Sequence, residues 1–349
     1  MDTNRGSLLM IDVVTLDERG LEDILSEPTE ATRKALASLH GDIVVLGAGG
    51  KMGPTLAMML RKASPHNKTI YAVSRFSDKA VRTRIEQGGI KTIELDLLGE
   101  SSYSELPAVE NVFYLVGMKF GATGNQPLTW ALNSFVPTLV ARHYKNARIV
   151  VFSTGNVYPL VAVSSGGAVE ETAPDPIGEY AQSCLGRERM FQYFSQVHNT
   201  PVTLVRLNYA NEPRYGIIVD LTLKMLKDEP IDVTMGAVNL ICQRDANDYI
   251  IQAIALAKSP PAILNVTGPG AISIRQLAEQ IGNQLGRKLK FVSQEADTAL
   301  LSDASKCFSL FGYPKTPLDE MVSFIVKWVT SGRAVLNKPT KYDNRNGRF

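Results

Sequence analysis

The stretch Asp42-Ile43-Val44-Val45-Leu46-Gly47-Ala48-Gly49-Gly50-Lys51-Met52-Gly53-Pro54 decides the fold of this 349-residue chain. A short β-rich apolar run enters a glycine-rich turn, and a helical pattern from Thr55 to Ala63 leaves it. Gly47, Gly50 and Gly53 are spaced three residues apart. The turn from strand to helix is tight, and a Cβ here would keep a pyrophosphate away from the backbone. In this context the glycines predict a phosphate-binding loop at the N-terminus of a helix.

Composition and charge argue against several classes of protein. The apolar content of 44% is typical of a globular chain, and no apolar run reaches the length of a membrane span. The 37 basic and 35 acidic residues nearly balance, so neither a nucleic acid nor a membrane is expected as partner. The 3 cysteines and 4 histidines are scattered, which predicts no disulfide framework and no metal site. Leu8 to Ile11 is too short for a signal peptide, so a cytoplasmic protein is expected.

Strand and helix patterns alternate downstream of the glycine loop. The strand patterns are Thr69 to Ser74, Thr92 to Leu95, Asn111 to Val116, Arg148 to Phe152 and Val202 to Arg206. Long helices are expected at Leu128 to Tyr144 and at Glu179 to Ser195. Such alternation predicts an α/β protein with a parallel sheet covered by helices on both faces. Ligands then bind at the carboxyl ends of the strands.

Several further stretches occur in the order found in one family of enzymes. They are Asp96-Leu97, Leu115-Val116-Gly117, Asn133, Ser153 to Tyr158, Tyr180 to Cys184, and Asn265 to Gly268 with Ile272 to Ile274. Over roughly residues 42 to 332 the chain resembles the extended (atypical) short-chain dehydrogenase/reductases of the NAD-dependent epimerase/dehydratase type. The resemblance implies a Rossmann-type doubly wound parallel sheet with a smaller C-terminal α/β substrate lobe. The combination is specific for the fold and much less specific for the reaction.

The expected domain organisation follows from the resemblance and the order of the patterns. Residues 1–41 are an N-terminal extension that packs either on the domain or on a partner subunit. Residues 42–206, with about 240–266, form the dinucleotide-binding domain, and residues 207–239 and 267–335 form the substrate lobe. Residues 336–349 are a polar tail, which is either mobile or docked on the surface.

The resemblance also implies a set of cofactor-binding residues. They are Gly47, Gly49, Gly50, Lys51, Met52, Gly53, Ser74, Arg75, Asp96, Leu97, Val116, Gly117, Met118, Asn133, Tyr180 and Asn208. At the end of the second strand a carboxylate would favour the ribose of NAD, but Ser74 and Arg75 occupy these positions. Arginine offers a planar, charged fork to a 2′-phosphate. NADP is therefore the expected cofactor, and NAD is the second choice.

The catalytic residues of the family are only partly matched. In the family, a tyrosine exchanges a proton with the substrate, a lysine four residues later lowers its pKa, and a Ser/Thr hydroxyl binds the substrate oxygen. Tyr180 and Thr154 match two of these roles, but Cys184 stands where the lysine belongs. A thiol is short and neutral at pH 7. Three alternatives follow: Lys51 or Lys119 approaches from a loop, the reaction needs a less activated tyrosine, or the protein binds nucleotide without turnover.

The residues after Thr154 bear on the reaction. Gly155 and Asn156 follow it, where the family's sugar-nucleotide dehydratases have an Asp-Glu pair, so dehydration is disfavoured. The expected function is that of an NAD(P)-dependent oxidoreductase or epimerase acting on a sugar, sugar nucleotide or related polyol by hydride transfer. The alternative is a non-catalytic dinucleotide-binding sensor or regulatory protein. By family analogy, a homodimer is expected through the helices at Leu128 to Tyr144 and Glu179 to Ser195.

Substrate contacts are less constrained by the sequence. Asn208 to Tyr215 and Ile217 to Val238 are expected to line the substrate cleft. Three arginines could meet an anionic group or form structural ion pairs, namely Arg206, Arg214 and Arg244. The loop from Met118 to Gln126 either covers the substrate or is an ordinary crossover loop.

Overall fold

The chain forms an alternating series of strands and helices, as expected. It is described by a computed structural model that covers residue 8, residues 11–13 and residues 15–348. The strands are β1 (Ile43–Leu46), β2 (Ile70–Ser74), β3 (Lys91–Glu94), β4 (Asn111–Tyr114), β5 (Arg148–Thr154), β6 (Val161–Ala162), β7 (Val202–Leu207), β8 (Ala210–Asn211), β9 (Ile231–Asp232), β10 (Ala237–Val238), β11 (Ile241–Cys242), β12 (Ala262–Val266), β13 (Ile272–Ser273), β14 (Phe291–Val292) and β15 (Thr298–Ala299). The α-helices are α1 (Glu18–Leu25), α2 (Glu30–Ala37), α3 (Gly53–Ala63), α4 (Lys79–Gln87), α5 (Gln126–Trp130), α6 (Val136–His143), α7 (Gly178–His198), α8 (Ile217–Leu226), α9 (Gln243–Gln252), α10 (Ile274–Leu285), α11 (Ser305–Phe311) and α12 (Leu318–Thr330).

The central sheet has seven parallel strands in the order β12-β7-β5-β4-β1-β2-β3. Strand β1 is buried along its whole length, which is what a parallel strand covered on both faces requires. The strand order reverses between β1 and β4, so a crevice opens where the carboxyl ends of these two strands diverge. The predicted Rossmann-type doubly wound sheet is confirmed, and the glycine loop lies at its switch point.

The prediction of a long helix from Leu128 to Tyr144 is confirmed, because residues 126–143 are helical without a break. The helix is not uniform, since α5 and α6 are joined by a π-helical turn, Ala131–Phe135. Pro137, in the first turn of α6, has no backbone N–H to donate to that turn. The wider turn carries the predicted cofactor residue Asn133, which is fully buried. Single π-helical turns of this kind often occur at functional sites.

The N-terminal extension packs on its own chain. Leu21 and Leu25 of α1 are buried against Phe324 and Trp328 of α12. The hydroxyl of Thr29, at the start of α2, donates to Asp248 Oδ1 at 2.8 Å. The described part of the extension is thus an integral layer of the protein; residues 1–7 lie outside the described residues.

A second hydrophobic core lies between helices α8, α10 and α12. Its fully buried members include Ile217, Leu221, Leu277, Ile281 and Val322. This core is separate from the two clusters that cover the faces of the central sheet. The C-terminal half of the chain therefore has its own hydrophobic core. The predicted domain boundaries stay a prediction.

The polar tail is docked along this second layer. Thr340 and Tyr342 are each 1% exposed, and the Thr340 hydroxyl donates to Asp220 Oδ2 of α8 at 2.6 Å. Further along, Arg345 Nη2 donates to Thr298 Oγ1 at 2.6 Å. Of the two alternatives for the tail, the docked one is therefore observed through residue 348; Phe349 lies outside the described residues.

Candidate active site

The glycine loop lets three pieces of backbone approach one another closely. Gly47 has a φ of +87°, and a Cβ there would lie 2.9 Å from the backbone nitrogen of Val116. A Cβ on Gly49 would lie 2.7 Å from Ser74 Oγ. Because only glycine avoids these contacts, the β1–α3 turn can lie against the ends of β2 and β4. A backbone surface free of side chains is thereby left toward the crevice.

The N-terminus of α3 follows this turn directly. Met52 occupies the N-cap position and makes no side-chain capping hydrogen bond, and Pro54 lies in the first turn. A helix start of this kind leaves N–H groups and the positive end of the helix dipole for an anion. The turn and the helix together fit the pyrophosphate of a dinucleotide.

A cleft opens above the carboxyl ends of the central strands. Nine of the predicted cofactor residues line it, namely Gly47, Gly49, Gly50, Ser74, Arg75, Asp96, Leu97, Val116 and Gly117. Leu115, from the Leu115-Val116-Gly117 stretch of the resemblance, lines it too. Three lining residues were not foreseen from the sequence, namely Ser77, Leu95 and Leu132. Each lies within two residues of a predicted one, which was the available signal, and Leu132 lies in the π-helical turn.

The other predicted cofactor residues do not line this cleft. They are Lys51, Met52, Gly53, Met118, Asn133, Tyr180 and Asn208. Asn208 is 2% exposed, and its Nδ2 donates to Ser302 Oγ at 3.0 Å. A Cβ on Gly155 would lie 2.1 Å from Asn208 Oδ1. The Asn208 side chain therefore packs behind the β5 carboxyl end, and its contact with a cofactor stays a prediction.

Lys51 contacts β8 and Tyr215. Its Nζ donates to the carbonyl of Ala210 at 2.6 Å and lies 3.9 Å from the centre of the Tyr215 ring. Burial lowers the pKa of Lys51 to about 7, with Glu212 opposing the shift. The side chain thus contacts the segment from Asn208 to Tyr215, which was predicted to line the substrate cleft.

The predicted catalytic residues lie on β5 and α7. Thr154 ends β5 and is 9% exposed; its hydroxyl is 2.9 Å from Asn156 Oδ1. Burial raises the pKa of Tyr180 well above its ordinary value, and Cys184 adds to the shift. Burial also raises the pKa of Cys184. Both groups therefore hold their protons at neutral pH, which argues against a nucleophilic Cys184.

Asn133 connects three parts of the site. Its Oδ1 accepts from the backbone N–H of Met118 and from Arg187 Nη2, each at 2.8 Å. Its Nδ2 donates to the Met118 carbonyl at 3.1 Å and to Ser183 Oγ at 2.9 Å. The loop after β4 is thereby fixed to α7. Arg187 was not among the predicted site residues, although its position three residues after Cys184 was an available signal.

The arginines considered for substrate binding form ion pairs instead. Arg206 Nη2 lies 2.7 Å from Glu188 Oε2, and both side chains are almost fully buried. Arg214 pairs with Glu212 at 3.2 Å and with Glu22 at 3.1 Å. The structural interpretation is thus confirmed for both arginines. Arg244 lies near a carboxylate as well, at 3.9 Å from Asp245.

Two further searches of the described residues bear on the class of site. None of their helices is both long and apolar enough to cross a membrane. The same residues contain no group of three or more metal-ligating side chains.

The sequence profile of the NAD dependent epimerase/dehydratase family matches residues 43–234. The chain belongs to this family. No curated protein sequence matches the chain. The matched residues run from β1 into the segment after α8, so they include the glycine loop, Thr154 and Tyr180.

Several solved structures of sugar-nucleotide epimerases share the fold. The UDP-glucuronic acid 4-epimerase of Bacillus cereus, solved with NAD, is 18% identical, with a TM-score of 0.69 over 83% of this chain and 98% of its own. The UDP-glucose 4-epimerase of Thermotoga maritima, solved with UDP-glucose, is 16% identical, with a TM-score of 0.69 over 83% and 99%. A UDP-galactose 4-epimerase is 18% identical, with a TM-score of 0.68 over 83% and 99%. At these identities the likeness establishes the fold of this family member.

Proposed function

We propose that this member of the epimerase/dehydratase family is an NAD(P)-dependent oxidoreductase or epimerase acting on a sugar nucleotide or a related polyol. The cleft over the glycine loop carries the proposal, because nine predicted cofactor residues line it. The solved relatives named for nucleotide sugars support the substrate class. The fold alone would not select a reaction.

The residues of the cleft divide between the parts of a dinucleotide. Gly49, Gly50 and the start of α3 would hold the pyrophosphate. Asp96 and Leu97 would contact the adenosine, and Val116 and Gly117 would line the nicotinamide end. When bound, the nicotinamide supplies the hydride acceptor or donor.

The proton relay is assigned to Tyr180 and Thr154. Because Tyr180 keeps its proton at neutral pH, it can donate that proton to a substrate carbonyl oxygen as hydride is delivered to the carbon. In the oxidation direction the Tyr180 phenolate accepts the proton of the substrate hydroxyl. The Thr154 hydroxyl would bind the same substrate oxygen, exchanging its contact with Asn156 for the substrate.

A second candidate function is a dinucleotide-binding sensor without turnover. Its specific support is the neutral Cys184 at the lysine position of the family, beside a tyrosine whose pKa burial has raised. Such a protein would bind the cofactor and change its own conformation or contacts without hydride transfer.

Turnover of nucleotide sugars tests the proposal. The full chain, supplied with NAD or NADP, is incubated separately with UDP-glucose, UDP-galactose and UDP-glucuronic acid, and products are followed by proton NMR. We expect a 4-epimer of at least one substrate, or a stoichiometric change in nicotinamide absorbance. Dinucleotide binding with no change in any substrate would favour the sensor instead.

Arg75 is expected to select NADP over NAD. It is exposed in the cleft beside Ser74 and makes no ion pair with another described residue. A charged hydrogen bond to a 2′-phosphate is worth about 1.5–3 kcal/mol, so Arg75→Ala should weaken NADP binding roughly 10- to 100-fold and leave NAD binding unchanged. Fluorescence titration measures both affinities, with the exposed Arg189→Ala as control. Tighter binding of NAD than NADP by the wild type would contradict this choice and leave NAD as the cofactor.

A homodimer is proposed through the α5–α6 and α7 helices. These helices and the π-helical turn expose large apolar side chains, namely Leu128, Trp130, Phe135, Tyr193 and Val197. Light scattering should give twice the chain mass. Phe135→Glu should shift the mass toward the monomer, because a charge would be buried in the interface. A wild-type monomer at micromolar concentration would contradict the proposed dimer.

A further inference from the structure

A buried arginine lies just beyond the lysine position of the family on helix α7. Arg187 is 6% exposed, and it follows Cys184 by three residues and Tyr180 by seven. Side chains at these spacings share one face of an α-helix. A cation is therefore present on the helix face that carries Tyr180.

The contacts of Arg187 leave its charge without a carboxylate partner. Nη1 donates to the carbonyl of Phe152 at 2.7 Å, and Nη2 donates to Asn133 Oδ1 at 2.8 Å. Nε is buried and has no hydrogen-bond partner. No ion pair of the described residues includes Arg187, and the neighbouring Glu188 is bound by Arg206. Glu188 acts on Arg187 from the same helix without a direct ion pair, so the buried guanidinium is only partly compensated.

The guanidinium lies directly behind the wall of the dinucleotide cleft. Gly117 lines the cleft and is exposed, and a Cβ on it would lie 2.2 Å from Arg187 Nη2. Only a glycine at position 117 lets the cation approach this closely. The missing side chain therefore places the charge of Arg187 at the predicted nicotinamide end of the cleft.

The groups that face Arg187 are those whose ionisation matters for a proton relay. Tyr114 of β4 has its ring centre 6.0 Å from the guanidinium carbon. Tyr180, Cys184 and Glu188 act on it from α7. Burial, Cys184 and Tyr215 raise the pKa of Tyr180, whereas Arg187 lowers it. Burial and Glu188 raise the pKa of Cys184, whereas the cations Arg187 and Lys119 lower it.

The two lysines considered from the sequence are less suited to this role. Lys51 is held by the Ala210 carbonyl and the Tyr215 ring, and burial lowers its pKa to about 7. Burial lowers the pKa of Lys119 to about 8. An amine that loses its proton near neutral pH gives a field that fades there, whereas a guanidinium stays charged.

We propose that Arg187 takes over the electrostatic role of the missing lysine, stabilising the Tyr180 phenolate and positioning, through Asn133, the loop that begins at Met118. The inference deepens the proposed function and rests on it, because it concerns the proton relay of the same site. Arg187 is thus a positioning residue: it acts through Tyr180 and Asn133.

The test separates the charge of Arg187 from its hydrogen bonds. Arg187→Gln keeps a donor and removes the charge, and Arg187→Lys keeps the charge. In the oxidation direction, where the Tyr180 phenolate is the active form, we expect Arg187→Gln to raise the midpoint of the pH dependence of kcat by about one unit or more. At a pH below the midpoint, kcat then falls roughly tenfold. Arg187→Lys should stay close to the wild type.

Two further variants control the experiment. Arg189→Gln alters an exposed arginine of the same helix and should leave the midpoint unchanged. The double variant Cys184→Lys with Arg187→Gln moves the cation to the family's position and should restore the midpoint. If Arg187→Gln does not fold, the double variant alone tests the proposal. A pH midpoint of kcat in the folded double variant well above that of the wild type would overturn it.

A second readout needs no turnover. The tyrosinate absorbance of the wild type minus that of Tyr180→Phe is measured as a function of pH. The same difference is measured between Arg187→Gln and Arg187→Gln with Tyr180→Phe. The pH midpoint of the first difference should be lower than that of the second. Equal midpoints in both experiments would overturn the role of Arg187. A wild type that binds dinucleotide and shows the tyrosinate shift, but converts no nucleotide sugar, would overturn the proposed function and leave the electrostatic role intact.

Discussion

Replacing Tyr180 with phenylalanine is expected to lower kcat by about 10²- to 10⁴-fold, the usual contribution of a positioned general acid or base. The substitution removes the hydroxyl proton, which burial retains at neutral pH, and keeps the aromatic ring. Steady-state kinetics with the best nucleotide sugar, supported by dinucleotide titration, measures the effect. Affinity for the dinucleotide should change little, because Tyr180 does not line the cleft over the glycine loop.

The matched control is a tyrosine outside the site and outside the proposed dimer surface. Tyr313 is 67% exposed, so Tyr313→Phe should leave both kcat and dinucleotide affinity unchanged. A Tyr180→Phe variant as active as the wild type would show that the proton relay has been assigned to the wrong residue. If neither the wild type nor the variant turns over, while both respond to dinucleotide, the sensor is supported.

Arg206→Met is expected to lower the free energy of unfolding by about 3–5 kcal/mol, the cost of leaving one partner of a buried ion pair unpaired. Glu188 would keep its place inside the protein with only Ser153 Oγ, now at 2.5 Å, as a donor. Arg206 also lies over the Tyr158 ring, with 4.6 Å between the guanidinium carbon and the ring centre, so some packing is lost as well. Urea denaturation measures the change.

A double variant separates the unpaired charge from the lost packing. Arg206→Met with Glu188→Leu removes both charges and should recover much of the stability, since apolar replacement of a buried pair is often neutral. As a control, Arg189→Met alters an exposed arginine next to Glu188 on α7 and should change the free energy of unfolding by less than about 0.5 kcal/mol. A single Arg206→Met variant as stable as the wild type would contradict the structural role given to this pair.

The sequence predicted those parts of the site that depend on local backbone geometry. The glycine loop was predictable because a positive φ at Gly47 and the tight space at Gly49 restrict both positions to glycine. The strand ends at Ser74 and Asp96 were predictable because parallel strands place their carboxyl ends at one edge. Each of these requirements can be read within a few residues of chain.

Features that depend on tertiary contacts were not predictable in the same way. The pattern from Leu128 to Tyr144 gave no sign of the π-helical turn, because apolar periodicity does not report a single widened backbone turn. The docking of the tail depends on Asp220, about 120 residues earlier in the chain. In the sequence, Arg187 looks like an ordinary charged helix residue. Its role depends on contacts with Gly117 and Asn133, which are distant in the chain.

Dinucleotide binding is the most direct test of the central claim that this cleft serves a nicotinamide cofactor. The purified protein is denatured, any released nucleotide is identified by mass spectrometry, and the stripped protein is titrated with NADP and NAD. The account predicts a retained dinucleotide, or saturable binding of at least one dinucleotide well below millimolar concentration, that is weakened in Gly49→Val. Absence of binding of both dinucleotides at millimolar concentration would contradict it.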